Sequence, residues 1–487
     1  MLRHTGVNPG SQGDRPALSR AALVRGRWAY AALFWAPLAC GAVAILMVRG
    51  LLGFQFPVPW PDETGFVAPA FDFARSGSFF DPGLNPDRVV MWMPPGYMML
   101  LAVVFRIFGY GYALARWVSA VACLMGLGLA GWLSWQLTAG WRRVVAGFAV
   151  AASFAAPAML VDANVARMEM PFAALMLLAL AASVASRQYL ALAIVAAAAV
   201  IHFNAAYFLG PALLSFALPA RGRRLPPLHA FDSAALALAV LILTLYGIYV
   251  ARHWVGFRDD MAFQFSFKRY LFQHDPAHAA WPALAGGTLA VVAIARGLAA
   301  ARLTALWGLA FLIMAYNGHE LWYDYGQPLG FALIAVAFLA TPEGAGLFWI
   351  SSTVVALILV PVMAARITPN LRALLPGRAM FSRSVVAPAE IGRVREFLAT
   401  LKPGTTVDFG WTGMELFFLQ DLARVGAHWT IVRHSVTQVW PLRSADWRVV
   451  CDSSEWPKMM LRFDIGHPRQ GIDASCQIFP GTDRVVK

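Results

Sequence analysis

Apolar runs of roughly 15 to 25 residues recur from Trp28 to about residue 365, and they leave few folds open. A helix rises about 1.5 Å per residue, so such runs reach most or all of the way across a hydrocarbon layer about 30 Å thick. Backbone polar groups in lipid must be satisfied within their own segment, which makes these runs helices. With 59% hydrophobic and 13% charged residues, the chain is expected to be an all-α polytopic membrane bundle.

The expected spans are Trp28–Val48, 112–138, 144–161, 170–186, 189–204, 205–219, 232–251, 281–295, 303–317, 326–341 and 347–365, about eleven in all. Residues 93–109, MPPGYMMLLAVVFRIFG, are apolar but short and carry Arg106, and they are expected to lie at the outer interface. Basic clusters at Arg142-Arg143, Arg187, Arg221-Arg223-Arg224 and Arg296 with Arg302 then all fall in the cytoplasm, as orientation by positive charge requires. The acidic and aromatic loops fall outside. The net charge of +13 is spent on these short clusters between spans, a distribution that argues against nucleic-acid binding.

Residues 1–27 hold five arginines against one aspartate and are expected to be a disordered cytoplasmic tail. Residues 28–366 form the membrane domain, N-terminus in and C-terminus out. Residues 367–487 change character: PAEIGRVREFLATL and GMELFFLQDLA have helical patterning, while TTVDFGW, WTIVRH, DWRVVCD and ASCQIFP have that of strands. A small extracytoplasmic α/β domain is expected there, in which Cys451 and Cys476 form a disulfide or stay as two free thiols. Cys40 and Cys123 lie in apolar runs and suit packing.

Candidate chemistry gathers on the outer face. The loop 57–97 carries Asp62, Glu63, Asp72, Asp81 and Asp87, carboxylates that must face water or a protein-lined cavity. The Asp62-Glu63 pair reads as a general base with an orienting neighbour, or as a solvated acidic loop. Asp162, Arg167 and Glu169 read as groups sharing a cavity with Asp62, or as an ion pair that only orients a helix end. His319 and Tyr323, in NGHELWYDYGQP, suit sugar recognition, although tryptophan and tyrosine also anchor helices at interfaces. Lys268 and Arg269, in a phenylalanine-rich loop, suit either a lid that grips a lipid phosphate or a plain interfacial helix.

The order of these features is similar to that of the C-type membrane glycosyltransferases. An uncleaved first span, the Asp62-Glu63 pair, Pro94-Pro95-Gly96-Tyr97 opening a short apolar helix, the Arg116-led span ALARWVSAVACLMGLGLAGWLSW and the Arg167–Glu169 stretch carry the resemblance. Within that superfamily the chain most resembles the branch of protein O-mannosyltransferases and lipid A aminoarabinose transferases. The resemblance implies a multi-pass enzyme of the inner or plasma membrane with its active site on the extracytoplasmic side. It further implies transfer, with inversion, of a sugar from a polyprenyl-phosphate carrier to a glycan, lipid or protein hydroxyl, with Asp62 as base.

Two positions depart from that pattern. The aminoarabinose-type enzymes carry an arginine where this chain has Gly65, and often a lysine or histidine where it has Met93. Arg75, Arg88, Arg167, Lys268 and Arg269 are then the candidates for binding the donor phosphate. Metal dependence stays open; a divalent cation, if held, would draw on Asp62, Asp162 and Glu169, and no organic cofactor is expected. The rival from another class is a flippase for a lipid-linked sugar, which predicts polar groups at mid-bilayer depth and broken helices in paired halves.

Overall fold

The apolar runs do form helices. The computed structural model describes residues 20–52, 61–218, 228–271, 276–318, 323–342, 388–409, 413–430, 445–451 and 476–480. In chain order these include α1 (Arg20–Leu52), α2 (Pro61–Ser76), α3 (Gly96–Phe108), α4 (Tyr112–Leu137), α5 (Trp141–Phe154), α6 (Pro157–Asp162), α7 (Glu169–Val184), α8 (Gln188–Ala198) and α9 (Ala206–Ala217). They continue with α10 (Ala230–Arg252), α11 (Trp254–Leu271), α12 (Pro276–Arg296), α13 (Ala299–Gly318) and α14 (Gly326–Leu339). The chain is a mostly helical, polytopic membrane protein. Among the described residues, four helices are long and apolar enough to cross a membrane: Ala29–Met47 within α1, α4, α10 and Ala299–Asn317 within α13.

Several expected spans are shorter or broken. Residues 144–161 split, because α5 stops at Phe154 and Pro157 opens α6; proline fits a first helical turn but lacks the N–H a continuing helix needs. Residues 189–204 end as helix at Ala198, and His202 then caps a new turn by accepting from the Asn204 N–H. At the other extreme, α1 starts at Arg20, inside the segment expected to be tail. Residues 1–19, the expected span 347–365 and His319 lie outside the described residues.

Small residues let the helices approach closely. A Cβ on Gly330 would sit 2.7 Å from the Gly308 carbonyl, and one on Gly308 would sit 2.8 Å from that of Gly330, so α13 and α14 cross backbone to backbone. On α4, Arg116, Ser119, Cys123, Gly126, Leu127, Ala130 and Leu133 form the buried stripe. Its neighbours Met176, Leu177 and Leu180 from α7 and Val150 and Phe154 from α5 complete the main core.

The bundle has two chemically distinct ends. At one, Arg142 donates to the Leu339 carbonyl at the end of α14, and Arg143 donates to the Thr138 carbonyl at the end of α4. At the other, the starts of α2, α4 and α7 meet, with Glu63, Arg116 and Arg167 among them.

The last described segments form α15 (Pro388–Leu398), α16 (Leu419–Val425) and strands β1 (Thr406–Asp408), β2 (His428–Thr430), β3 (Trp447–Cys451) and β4 (Cys476–Pro480). The sheet order is β2-β1-β3-β4, parallel across β2, β1 and β3 and antiparallel between β3 and β4. Cys476 is disulfide-bonded, and Cys451 stands opposite it on β3; Cys40 and Cys123 are free. This sheet does not stand apart. Phe66, Trp92, Tyr97 and Phe105 of α2, α3 and their connection share one core with Val394, Leu398, Phe409, Leu416, Phe418 and Val449.

Candidate active site

Pro61 opens α2, and the two carboxylates that follow occupy its first turn, where the helix dipole favours negative charge. Their environments diverge completely. Glu63 is fully buried and every oxygen is engaged: Arg116 donates from Nη2 to Oε1 at 2.6 Å and from Nε to Oε2 at 3.0 Å. The Tyr112 hydroxyl adds 2.9 Å to Oε1, and the Ala166 N–H adds 2.6 Å to Oε2. Such a carboxylate is a strut. It ties α2 to α4 and to the segment between α6 and α7.

Asp62 keeps 18% of its side chain open and meets Arg167 Nη1 at 2.5 Å. The other edge of that guanidinium faces Glu169, with Nη2 at 2.8 Å and Nε at 3.2 Å. Burial works against the Arg167 charge, but Glu169 and Asp62 outweigh it and push its pKa up, so it stays a cation. The Ser119 hydroxyl holds the Arg167 carbonyl at 3.1 Å. Glu169 itself opens α7 and is buried. Arg167 is thus a bridge whose one exposed pier is Asp62.

The neighbours of the pair are fixed as tightly. Gly65 lies flat on the indole of Trp92: a Cβ there would meet Trp92 atoms at 3.1 to 3.3 Å. That packing explains why no long cation follows the acidic pair in this chain. Gly96 is equally constrained, since its N–H donates to the Val200 carbonyl at 2.8 Å and a Cβ would sit 2.5 Å from that oxygen. Thr64 donates its hydroxyl to Glu415, a residue from the C-terminal sheet domain.

The remaining expected residues fall in different places. Asp162 is buried, its Oδ2 lacks a hydrogen-bond partner, and burial together with Glu169 raises its carboxyl well above the usual range. Tyr323 is buried, with its ring 5.5 Å from that of His202. Arg88 is engaged elsewhere: it forks onto Asp260 of α11 at 2.6 and 2.9 Å, and Asp260 also accepts from the Met91 N–H. Arg75 sits at the far end of α2, about 20 Å from Asp62 at 1.5 Å per residue, stacked over Phe71. It lines a cavity of about 390 Å³ with Arg106, Tyr110 and Arg424. Lys268 and Arg269 lie in the last turns of α11, and their side chains are outside the described set.

A divalent cation fits this arrangement poorly. The gap between Asp62 and Glu169 is filled by the Arg167 guanidinium, and no three His, Cys, Asp or Glu side chains converge among the described residues. Arg116, which enters the sequence analysis only through the family resemblance, also carries a signal of its own, because an arginine inside an apolar run demands a carboxylate partner. Glu415 is absent from the sequence expectations and carries no such signal, since its contact spans 351 positions.

No protein-family profile matches the sequence, and no curated protein matches it. Among solved structures, the fold is similar to that of ArnT from Cupriavidus metallidurans bound to undecaprenyl phosphate, with a TM-score of 0.49 and 17% identity over 94% of this chain and 98% of that one. It is similar to the same protein in the apo state, with a TM-score of 0.48 and 15% identity over 86% and 93% of the two chains. A third is the Archaeoglobus fulgidus oligosaccharyltransferase in complex with zinc and sulfate, with a TM-score of 0.47 and 12% identity over 85% and 68%.

Proposed function

We infer that this chain is an inverting glycosyltransferase that moves a sugar from a polyprenyl-phosphate carrier to a hydroxyl acceptor at the extracytoplasmic face of the membrane. The observation that carries the reading is the contrast within the acidic pair. Glu63 is closed off by four hydrogen bonds, whereas Asp62 is partly open and held by a cation. One carboxylate is a fixed post and the other is the one an acceptor hydroxyl can reach.

In the reaction, an Asp62 oxygen accepts the proton of the acceptor hydroxyl as that oxygen attacks the anomeric carbon. The anomeric carbon–oxygen bond to the phosphate breaks on the opposite face, and its electron pair leaves on the polyprenyl phosphate. The carbon passes through an oxocarbenium-like state, as in other inverting sugar transfers (cf.). No strong acid is needed, because the leaving group is already a phosphate. Arg167 keeps Asp62 oriented, and Glu63 with Arg116 holds the helix that presents it. Asp162 and Glu169 line the same end of the bundle.

The arginine-capped end of the bundle supports a cytoplasmic side there and an outward-facing acidic end. Lys268 and Arg269 stay the sequence's candidates for the donor phosphate, given that Arg88 is already paired with Asp260. The test is a reconstituted assay with radiolabelled polyprenyl-phosphate sugars and added hydroxyl acceptors. Cleavage of the sugar–phosphate bond with label appearing on the acceptor supports the reading; movement of intact lipid between leaflets without cleavage replaces it with a flippase.

A further inference from the structure

Glu415 is the strangest carboxyl in the described structure. It is fully buried, yet among the described residues no lysine or arginine pairs with it. Its Oε1 accepts the Thr64 hydroxyl, and its Oε2 has no hydrogen-bond partner. A buried polar atom left without a partner is costly, and an apolar residue or an amide would hold a domain contact at less expense.

Its location suggests what the expense secures. Glu415 lies in a 3-10 turn, Met414–Phe417, introduced by Gly413 in the left-handed region at φ 66°, a conformation that glycine adopts without strain. The two residues that follow it grip the membrane domain next to the acidic pair. The Tyr110 hydroxyl donates to the Leu416 carbonyl at 2.5 Å. The Phe417 ring meets Tyr112 edge-on, with centroids 5.2 Å apart, and Tyr112 is the residue that donates to Glu63. Thr64 itself follows Glu63 in the first turn of α2. The turn therefore touches the helix that carries Asp62 by two routes, one through Thr64 and one through Tyr112.

We propose that Glu415 is a positioning residue for Asp62, supplied by the C-terminal domain: it fixes the first turn of α2 through Thr64, so the transfer site is complete only with that domain docked. This rests on the glycosyltransferase reading above for its catalytic half; the docking half stands on the contacts alone.

Titration gives the proposal a signature. Burial is the main cause that lifts the Glu415 carboxyl to about 7, against the Thr64 hydrogen bond. Among the described residues, the groups that interact with it are Thr64 on α2, Tyr110 just ahead of α4 and Asp408 on β1. One step further out, Glu63 precedes Thr64 in α2, Asp408 is paired with Arg448, and Tyr110 also feels Asp421, which is paired with Arg395. A raised acid stabilises the docked state fully below its unfolded value near 4.5 and loses that contribution as pH rises through about 7. Docking, and with it turnover, should weaken on the alkaline side.

The experiment uses the full chain in nanodiscs, with sugar transfer from a radiolabelled polyprenyl-phosphate sugar and hydrogen exchange of the peptide covering residues 61–70. Glu415→Ala and Thr64→Val, which remove the same bond from opposite partners, should each lower kcat on the order of 10- to 100-fold with KM within about 2-fold, as for a displaced catalytic group. Both should speed exchange in the 61–70 peptide. Glu415→Gln, which keeps an acceptor for Thr64, should restore most of the rate and abolish the alkaline fall near pH 7. Unchanged exchange in both variants overturns the proposal, as does faster exchange with an unaltered kcat. A wild type inert toward every donor, whose α2 exchange still responds to Glu415→Ala, sinks the transferase reading and leaves the docking role standing.

Discussion

Arg116 and Glu63 form a two-point ion pair with no solvent exposure on either side chain, 2.6 and 3.0 Å across its two contacts. It joins a 26-residue apolar helix to the short helix that begins with the acidic pair. Each charge is the other's closest counter-ion at that depth, so the pair behaves as a rivet and constrains the first turn of α2, where Asp62 sits.

Removing one member should therefore be worse than removing both. Glu63→Gln or Arg116→Met leaves an unpaired buried charge, and about 3–5 kcal/mol of stability should be lost. The double variant should recover much of it. Thermal unfolding of the detergent-solubilised protein reads this directly, and Arg116→Lys should fail to rescue because an ammonium cannot make the forked contact.

Arg167 should tolerate lysine just as poorly. The guanidinium spans Asp62 and Glu169 at once, which a single ammonium on a flexible stem does not reproduce. Arg167→Lys is expected to lower kcat about 100-fold, the scale for a misplaced reacting group, with a folded protein by size-exclusion chromatography.

The segment from the end of α2 to α3 should be acid-stabilised. Asp72 and Asp81 face each other, and burial is the leading cause that lifts Asp72 to about 6 and Asp81 well above its usual range. Raised carboxyls favour the folded loop most below the unfolded value near 3.8, and that advantage disappears as pH climbs through about 6. Hydrogen exchange of the 72–87 segment should accelerate between about pH 5 and 7, and Asp72→Asn should flatten the profile.

The C-terminal sheet should depend on its disulfide. Cys476 lies on β4, which is held to the sheet by β3 alone. Cys476→Ser should lower the stability of that domain by about 3 kcal/mol, read as earlier release of a C-terminal fragment in limited proteolysis.

Much of this architecture was written in local patterns. The helices follow the apolar runs, and the strands and helices after Pro388 follow their alternation. Asp62, Arg167 and Glu169 converge because the acidic pair and the Arg167–Glu169 stretch both sit at helix starts on one end of the bundle. Other features depend on contacts that no local pattern encodes. Arg88 looks like a phosphate ligand in the chain, yet the reach of α11 brings Asp260 to it. Equivalence of Asp62 and Glu63 is natural for adjacent carboxylates, and only Arg116, Tyr112 and the Ala166 N–H separate their roles. The helix end at Ala198 is equally non-local, since short apolar helices suffice where protein surrounds them, whereas the break after Phe154 follows from Pro157.

The most direct measurement is single-turnover transfer from a radiolabelled polyprenyl-phosphate sugar by wild type and Asp62→Asn, each verified as folded. Loss of rate on the order of 10² to 10⁴ in the variant, with donor binding retained, is the expected result for a missing general base. Equal rates in the two proteins would contradict it.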